Sequence, residues 1–389
     1  MRPTGRLHLG HFHGVLKNWT SMQDQYECFF FAADWHALTT HYDDPALLAA
    51  HTHDMVVDWL AAGVDPSKAT LFVQSQVPAH AELHLLLSMI TPLGWLERVP
   101  TYKDQQEKLK EKDLATYGFL GYPLLQSADI LVYRAGRVPV GADQVAHVEI
   151  TREVARRFNH IYGLEPGFAQ KVEEAVGRLG KKPARVYLDS RKAWQERGDS
   201  AALDAARELV RSNGNISGID RERLLGDLEG GGKIILPEPQ AMLTPASKMP
   251  GLDGQKMSKS YGNTITLREE PADVETKVRR MPTDPARVRR TDAGEPSRCP
   301  VWQLHEIYSG DDVRNWVQAG CRSAGIGCIE CKQPVIDAIN AELAPMRERA
   351  QHFASRPAEV RAILDAGREQ ARAVADATMV EVRQAMGLA

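Results

Sequence analysis

The 389-residue sequence lacks any apolar run of the roughly 18 residues that a membrane-spanning helix needs, and Met1–Gly5 lacks the apolar core of a secretory leader. A cytoplasmic protein is therefore expected, with no membrane partner. Excess charge is also missing: 48 Lys and Arg stand against 51 Asp and Glu, for a net charge of −3. Such a balance excludes a surface that attracts nucleic acid from every side, and DNA is not an expected partner, although one local face can still be basic. Cysteine is scarce, and five is an odd number for a disulfide framework in a chain this long. Two common motifs are absent as well. No G-x-x-x-x-G-K-[ST] frame exists, so the glycines at 230–232 are not a P-loop. His80-Ala81-Glu82-Leu83-His84 has its glutamate in the wrong place for a zinc-protease helix, and its histidines read as structural. With 43% hydrophobic residues the chain can build an ordinary core in two or three domains.

Two short stretches carry chemistry. The first, Pro3-Thr4-Gly5-Arg6-Leu7-His8-Leu9-Gly10-His11, reads as a turn opening into an amphipathic helix. Free amides at a helix start favour an anion, Gly10 allows close approach to the backbone, and His8 and His11 can donate to phosphate oxygens. A metal site built on His8, His11 and His13 is the weaker alternative, because no nearby carboxylate supplies a further ligand. The second, Gly254-Gln255-Lys256-Met257-Ser258-Lys259-Ser260, lies in a Gly-rich, Pro-flanked loop. Two lysines three apart there suit a polyphosphate that must be gripped and released. Either stretch alone is as well explained by a solvated surface.

Between them, Tyr26–Asp34 and Ala69–Gln74 read as buried parallel strands, and 45–62, 81–90 and 149–158 have helical spacing. Alternating strands and helices imply an α/β, doubly wound parallel sheet of Rossmann type, with ligands at the carboxyl ends of its strands. In Gly121–Tyr133 one carboxylate, Asp129, sits in an otherwise apolar helix and needs a donor; an ion pair with Arg134 or Arg137 is the plain explanation. Val138–Gln144 is a strand end and turn carrying Asp143 and Gln144, able to hold hydroxyl and ammonium groups. The composition turns polar from 177 to 232 and helical after about 267. This gives a catalytic domain over 1–176, a polar insertion over 177–232, a return to the catalytic domain over 233–270, and an all-α domain over 271–389. Basic clusters at Lys277, Arg279, Arg280 and at Arg287, Arg289, Arg290 fit RNA phosphates or a solvated face equally well. Cys299, Cys321, Cys328 and Cys331 have the spacing C-x21-C-x6-C-x2-C; in a cytoplasmic chain this favours a metal, zinc and iron–sulfur being equally compatible with four thiolates.

His8-Leu9-Gly10-His11 followed by Lys256-Met257-Ser258-Lys259-Ser260 resembles the HIGH and KMSKS pair of the class I aminoacyl-tRNA synthetases, and the pair in this order is far more specific than either member. With the Gly121–Tyr133 and Val138–Gln144 stretches, the chain is similar over nearly its whole length to the tryptophanyl-tRNA synthetases, in a longer form with an insertion. The resemblance implies activation of L-tryptophan by ATP with Mg2+ and transfer to tRNA(Trp), a homodimer, and His8, His11, Lys256 and Lys259 as the catalytic set. It implies ATP contacts from Thr4, Gly5, Gly10, Gly141, Asp143, Met257 and Ser258. It implies a tryptophan pocket in which Asp129 accepts the indole N–H beside Tyr122, Gln126, Gln144 and His36; Gln126 stands where some members carry methionine. It also tips the cysteines toward a [4Fe-4S] cluster, although the first spacer is one residue shorter than the family pattern. The tyrosyl synthetases share this architecture, small-molecule nucleotidylyltransferases share the H-x-G-H turn, and a synthetase-like RNA-binding paralogue is the non-enzyme alternative. A central strand precedes the HIGH turn in the family, whereas seven residues precede His8 here, so a start upstream of Met1 is expected.

Overall fold

The apolar run at 28–32 becomes strand β1 (Cys28–Ala32), which pairs in parallel with β2 (Ala69–Val73) from Cys28 opposite Ala69 to Ala32 opposite Val73. Every residue of β2 is buried, as in a strand covered on both faces. The helix Leu48–Ala62 connects them and buries Met55, Val56, Trp59 and Leu60. It ends at Gly63, whose φ of 102° lets its amide turn back to the carbonyls of Leu60 and Trp59. These belong to one of two compact units, formed by residues 1–76 and 244–370; the other comprises 77–243 and 371–389. The computed structural model describes residues 1–43, 45–99, 116–228, 231–243 and 249–388.

In the first unit the chain turns helical at Leu9, passes through a π-helical stretch at Phe12–Leu16, and resumes as an α-helix over Lys17–Met22. Isolated π turns recur at functional sites. Just before this helix, the backbone meets the segment that follows the second motif. The Leu9 amide donates to Ile265 O at 3.0 Å, the Leu267 amide to Leu7 O at 3.0 Å, and His8 bridges Thr266 in antiparallel sense. Leu7, Leu9, Ile265 and Leu267 are all buried, so apolar packing seals this short ladder. The later helices Pro271–Arg280, Pro300–Tyr308, Asp311–Arg322 and Cys328–Ala354 belong to the same unit, and Cys328–Ala354 packs on Leu48–Ala62.

The second unit holds a parallel pair of its own, β3 (Arg137–Val140) with β4 (Gln240–Leu243). The expected parallel sheet is thus represented, among the described residues, by one two-stranded pair in each unit. The helices Ala79–Ser88, Tyr117–Leu131 and Val145–Tyr162 pack in series. Thr116 starts the second of these by accepting the Phe119 amide at 3.2 Å. Four further helices between Phe168 and Leu228 enclose their own core of Val172, Tyr187, Leu203, Val210 and Leu224. The polar stretch expected at 177–232 therefore has a packed interior. Its return, Lys233–Leu236, is irregular: both amides of Ile235 and Leu236 bond Asn159 Oδ1, and Asn159 Nδ2 bonds Leu236 O at 2.7 Å.

Candidate nucleotide and amino-acid sites

The first motif is held by its own side chains. His8 Nδ1 accepts the Gly10 amide at 3.1 Å, and His11 Nδ1 accepts the His8 amide at 3.3 Å. With both Nδ1 atoms accepting, the proton of each neutral ring sits on Nε2, leaving two N–H donors for a ligand. The rings lie 3.8 Å apart. Gly10 is required for a reason nearer than the ligand: a Cβ there would stand 2.9 Å from the His8 ring and 3.6 Å from Met257.

The second motif is an ordered loop clamped by buried Asn263. Its Oδ1 accepts the Ser258 amide at 2.7 Å, while Nδ2 donates to Asp253 Oδ1 and Lys256 O. Lys256 is exposed and Met257 buried. Lys259 Nζ reaches across to donate to Thr4 O at 3.0 Å and Gly5 O at 2.9 Å. The structure thus brings Thr4, Gly5, His8, Gly10 and His11 together with Met257 and Lys259, through a ladder that pairs His8 with Thr266. An ammonium resting on carbonyl oxygens is poised to exchange them for phosphate oxygens.

Burial, with Lys259 nearby, holds His8 down at about 4; burial, then His8, then Lys259, holds His11 at about 3. Both rings are neutral donors at pH 7. Burial also lowers the Lys259 pKa, partly offset by Asp58. Asp58 accepts the Leu7 amide at 2.7 Å and lies 2.7 Å from Arg268 Nε, an ion pair whose N–H is not aimed for a hydrogen bond. Burial raises its carboxyl to about 6, against the pull of Arg268. These shifts have opposite signs for stability. A depressed histidine stabilises the fold above about 6.5 and loses that contribution as pH falls toward 4, whereas a raised aspartate contributes below 3.8 and loses it as pH rises through 6. Between pH 4 and 6 the unfolded chain binds two more protons at the histidines and the native chain one more at Asp58, so these groups together favour the fold as pH rises. In the double variant His8→Asn/His11→Asn, the pH slope of unfolding free energy from urea titrations should fall by about two protons in this window; an unaltered slope would contradict the assignment.

In the second unit Tyr122, Gln126 and Asp129 share one face of the helix Tyr117–Leu131 at i, i+4 and i+7. Asp129 is 5% exposed, and the partner seen among the described residues is His80 rather than Arg134. Arg134 binds Glu222 and Glu381, while Asp129 Oδ1 accepts from His80 Nδ1 at 2.6 Å. His80 Nε2 in turn meets Tyr133 OH at 2.7 Å. Burial first, then the charges of Asp129 and Asp376, push the Tyr133 hydroxyl upward, so it stays protonated and donates to Nε2. Hydrogen bonds thus run from Tyr133 to His80 and from His80 to Asp129. His80, read from the sequence as structural, is the residue that orients the predicted acceptor, and its only sequence signal was a histidine in an otherwise apolar helix start. Tyr122 OH lies 3.4 Å from His147 Nε2, a second pairing the sequence did not disclose. Gly141 precedes the short turn Ala142–Gln144 that follows β3, which places Gln144 at the start of the helix Val145–Tyr162; the Asp143 side chain lies outside the described residues. His36 is in the first unit, buried on the helix Asp34–His41.

Cys299, Cys321, Cys328 and Cys331 line one small cavity with Arg287 and Lys332. Arg287, expected on a basic surface, is 8% exposed instead. It points toward Cys321 Sγ at 3.9 Å, and its Nε has no hydrogen-bond partner. Lys332 is 3% exposed and donates to the carbonyls of Arg279 and Met281. Burial and the other three thiols drive Cys331 up to about 12. Among the described residues no group of three or more His, Cys, Asp or Glu side chains is arranged to hold a metal ion. Of the remaining basic residues, Lys277 pairs with Glu269 and Arg279 with Glu275, while Arg280 and Arg289 are exposed.

The family profile for tRNA synthetases class I (W and Y) matches residues 1–179 and 200–344. A tryptophan–tRNA ligase of Ralstonia nicotianae is 68% identical over 388 residues, spanning 100% of this chain and 97% of the relative. One from Thermotoga maritima is 43% identical over 390 residues, spanning 100% and 98%. Among solved structures, tryptophanyl-tRNA synthetase from Campylobacter jejuni complexed with ADP and tryptophan is similar with a TM-score of 0.74 at 25% identity, covering 100% of this chain and 98% of that one. The chain accordingly belongs to the class I tRNA synthetases of the tryptophan and tyrosine type.

Proposed function

We propose that this protein activates L-tryptophan with ATP and transfers the tryptophanyl group to tRNA(Trp). The reaction class is carried by one observation, the Lys259 ammonium meeting the Thr4–Gly5 backbone beside the His8 and His11 donors. The choice of amino acid is supported by 68% identity over the full chain to a tryptophan–tRNA ligase. In the first step a tryptophan carboxylate oxygen forms a bond to the ATP α-phosphorus, and the bond from that phosphorus to the bridging oxygen breaks. Pyrophosphate leaves as its Mg2+ complex, the cation having come in with the nucleotide. The adenylate then passes the tryptophanyl group to the terminal ribose of the tRNA, releasing AMP. Such chemistry needs positioning and charge stabilisation more than covalent help. Lys256 and Lys259 are assigned to the departing pyrophosphate, and the Nε2–H groups of His8 and His11 to phosphate oxygens. The short turn at Gly141 and Asp143 is assigned to the ribose. Asp129 is assigned to the indole N–H, with Tyr122, Gln126, Gln144 and His36 around the amino acid.

The test is amino-acid-dependent ATP–pyrophosphate exchange. Exchange is expected with tryptophan and not with tyrosine; exchange with tyrosine at a similar rate, or tRNA binding without any exchange, would overturn the reading. A homodimer acting in the cytoplasm, with the C-terminal helices on the tRNA, completes the proposal.

For the cysteines the proposal is a [4Fe-4S] cluster held by Cys299, Cys321, Cys328 and Cys331. Four thiols lining one cavity suit a cluster in which each binds a different iron, zinc being the alternative. A bound cluster would add structural bracing and negative charge, which the orphaned Arg287 Nε–H and the buried Lys332 are placed to offset. Protein purified without oxygen should contain about four irons per chain and absorb in the visible region, and Cys328→Ser should lose both. A colourless protein carrying zinc alone would refute the assignment.

A further inference from the structure

The second unit encloses a cavity of about 700 Å³ between the helix Val145–Tyr162 and the helices Ser200–Ser212 and Gly218–Leu228. That volume falls within the roughly 300–1,000 Å³ of small-ligand sites. Seven arginines and three glutamates line it, and none of the residues assigned above to ATP or tryptophan does. We infer that this cavity is a second anion site, built for phosphate groups of a polyphosphate or of an RNA backbone.

The charge is not compensated evenly. Arg134 is neutralised by Glu222 and Glu381, and Arg152 and Arg156 share Glu238. Among the described residues Arg157, Arg211 and Arg221 have no carboxylate partner. Two of them are nevertheless fixed in place by backbone carbonyls. Arg157 Nε donates to Ile90 O at 2.5 Å with its guanidinium 5.9 Å from the centre of the Trp95 ring, and Arg221 donates to Val210 O at 3.3 Å and Asn213 O at 3.2 Å. A carbonyl orients a guanidinium without cancelling its charge. The Arg211 side chain is exposed and has no hydrogen-bond partner among the described residues. One wall is rigid, since Gly226 and Gly232 meet backbone to backbone: a Cβ on Gly226 would lie 1.6 Å from Gly232 O. Three oriented or available guanidiniums, each with unused donors in a planar fork, match phosphate oxygens better than any neutral ligand. A recess of this volume, unlike a flat basic face, selects a compact anion or a strand threaded into it.

This inference stands apart from the ligase reading, and binding rather than catalysis tests it. Full-length protein saturated with α,β-methylene ATP, to occupy the nucleotide site, is titrated calorimetrically with inorganic tripolyphosphate and, separately, by filter binding with unacylated tRNA at several salt concentrations. Arg211→Glu is the primary variant, because its side chain contributes no bond to the fold; Arg221→Gln is added to it, and melting temperatures verify folding. If free polyphosphate is the ligand, a tripolyphosphate-binding event persists beside the bound nucleotide and weakens about tenfold or more in the variants. If RNA is the ligand, tRNA affinity falls and the logarithmic salt slope drops by about one per arginine removed. Unchanged affinity of folded Arg211→Glu and double variants for both probes overturns the inference.

Discussion

Replacing Lys259 by alanine should lower tryptophan-dependent ATP–pyrophosphate exchange by about 10²–10³-fold, the cost of removing one oriented donor from a developing oxyanion. Tryptophan affinity by equilibrium dialysis should stay within about twofold. The separation follows from position: Lys259 Nζ contacts the backbone of Thr4 and Gly5 and no residue assigned to the amino acid. Its ground-state bonds are to neutral carbonyls, and these give way when pyrophosphate charge accumulates, so the interaction is worth most in the transition state. Arginine at this position should not restore the rate fully, because a broad planar fork does not reproduce a compact ammonium lodged between two carbonyls. Equal losses in exchange and in tryptophan binding would remove Lys259 from the pyrophosphate and return it to a structural tie.

Asp129→Ala is expected to produce the other large effect, and on two readouts. It strips a buried acceptor from His80 and leaves Nδ1–H without the carboxylate it faces at 2.6 Å. Leaving a buried donor without its acceptor in this way costs about 1–3 kcal/mol of stability. If the same carboxylate accepts the indole N–H, kcat/KM for tryptophan should also fall by about 10³-fold or more, since a site built around a hydrogen bond discriminates through the group left unpaired. His80→Ala separates the two contributions. It should destabilise the protein to a similar degree but retain more tryptophan selectivity than Asp129→Ala, because the acceptor is still present. Identical selectivity in both variants would mean that Asp129 serves only the internal hydrogen-bond chain.

Much of this was readable before the fold was seen, and the limits have physical causes. His8, Gly10, His11 and Lys259 announced themselves because local chemistry dictates their types: a helix start short of acceptors and a loop bearing two ammonium groups. Helix ends were legible wherever a residue type forces them, as at Gly63. Partnership was not. Asp129 and His80 are 49 residues apart, and nearby Arg134, which binds Glu222 and Glu381 instead, looked like a better partner until the helices were packed. Arg287 read as part of a basic cluster because a charge run carries no information about which member turns inward. Asn159 does the work of a strand neighbour for Ile235 and Leu236, and no periodicity encodes such a substitution.

The ladder between Leu7–Leu9 and Ile265–Leu267 also imposes a timetable. A ribosome adding roughly 5–20 residues per second needs some 10–40 s to pass from residue 76 to residue 265, and for that interval the histidine turn is synthesised but lacks its edge partner. Nascent chains halted before residue 265 should therefore expose the faces of Leu7 and Leu9 that the finished protein buries. The ladder is completed only late in translation, after the whole intervening second-unit segment has left the ribosome.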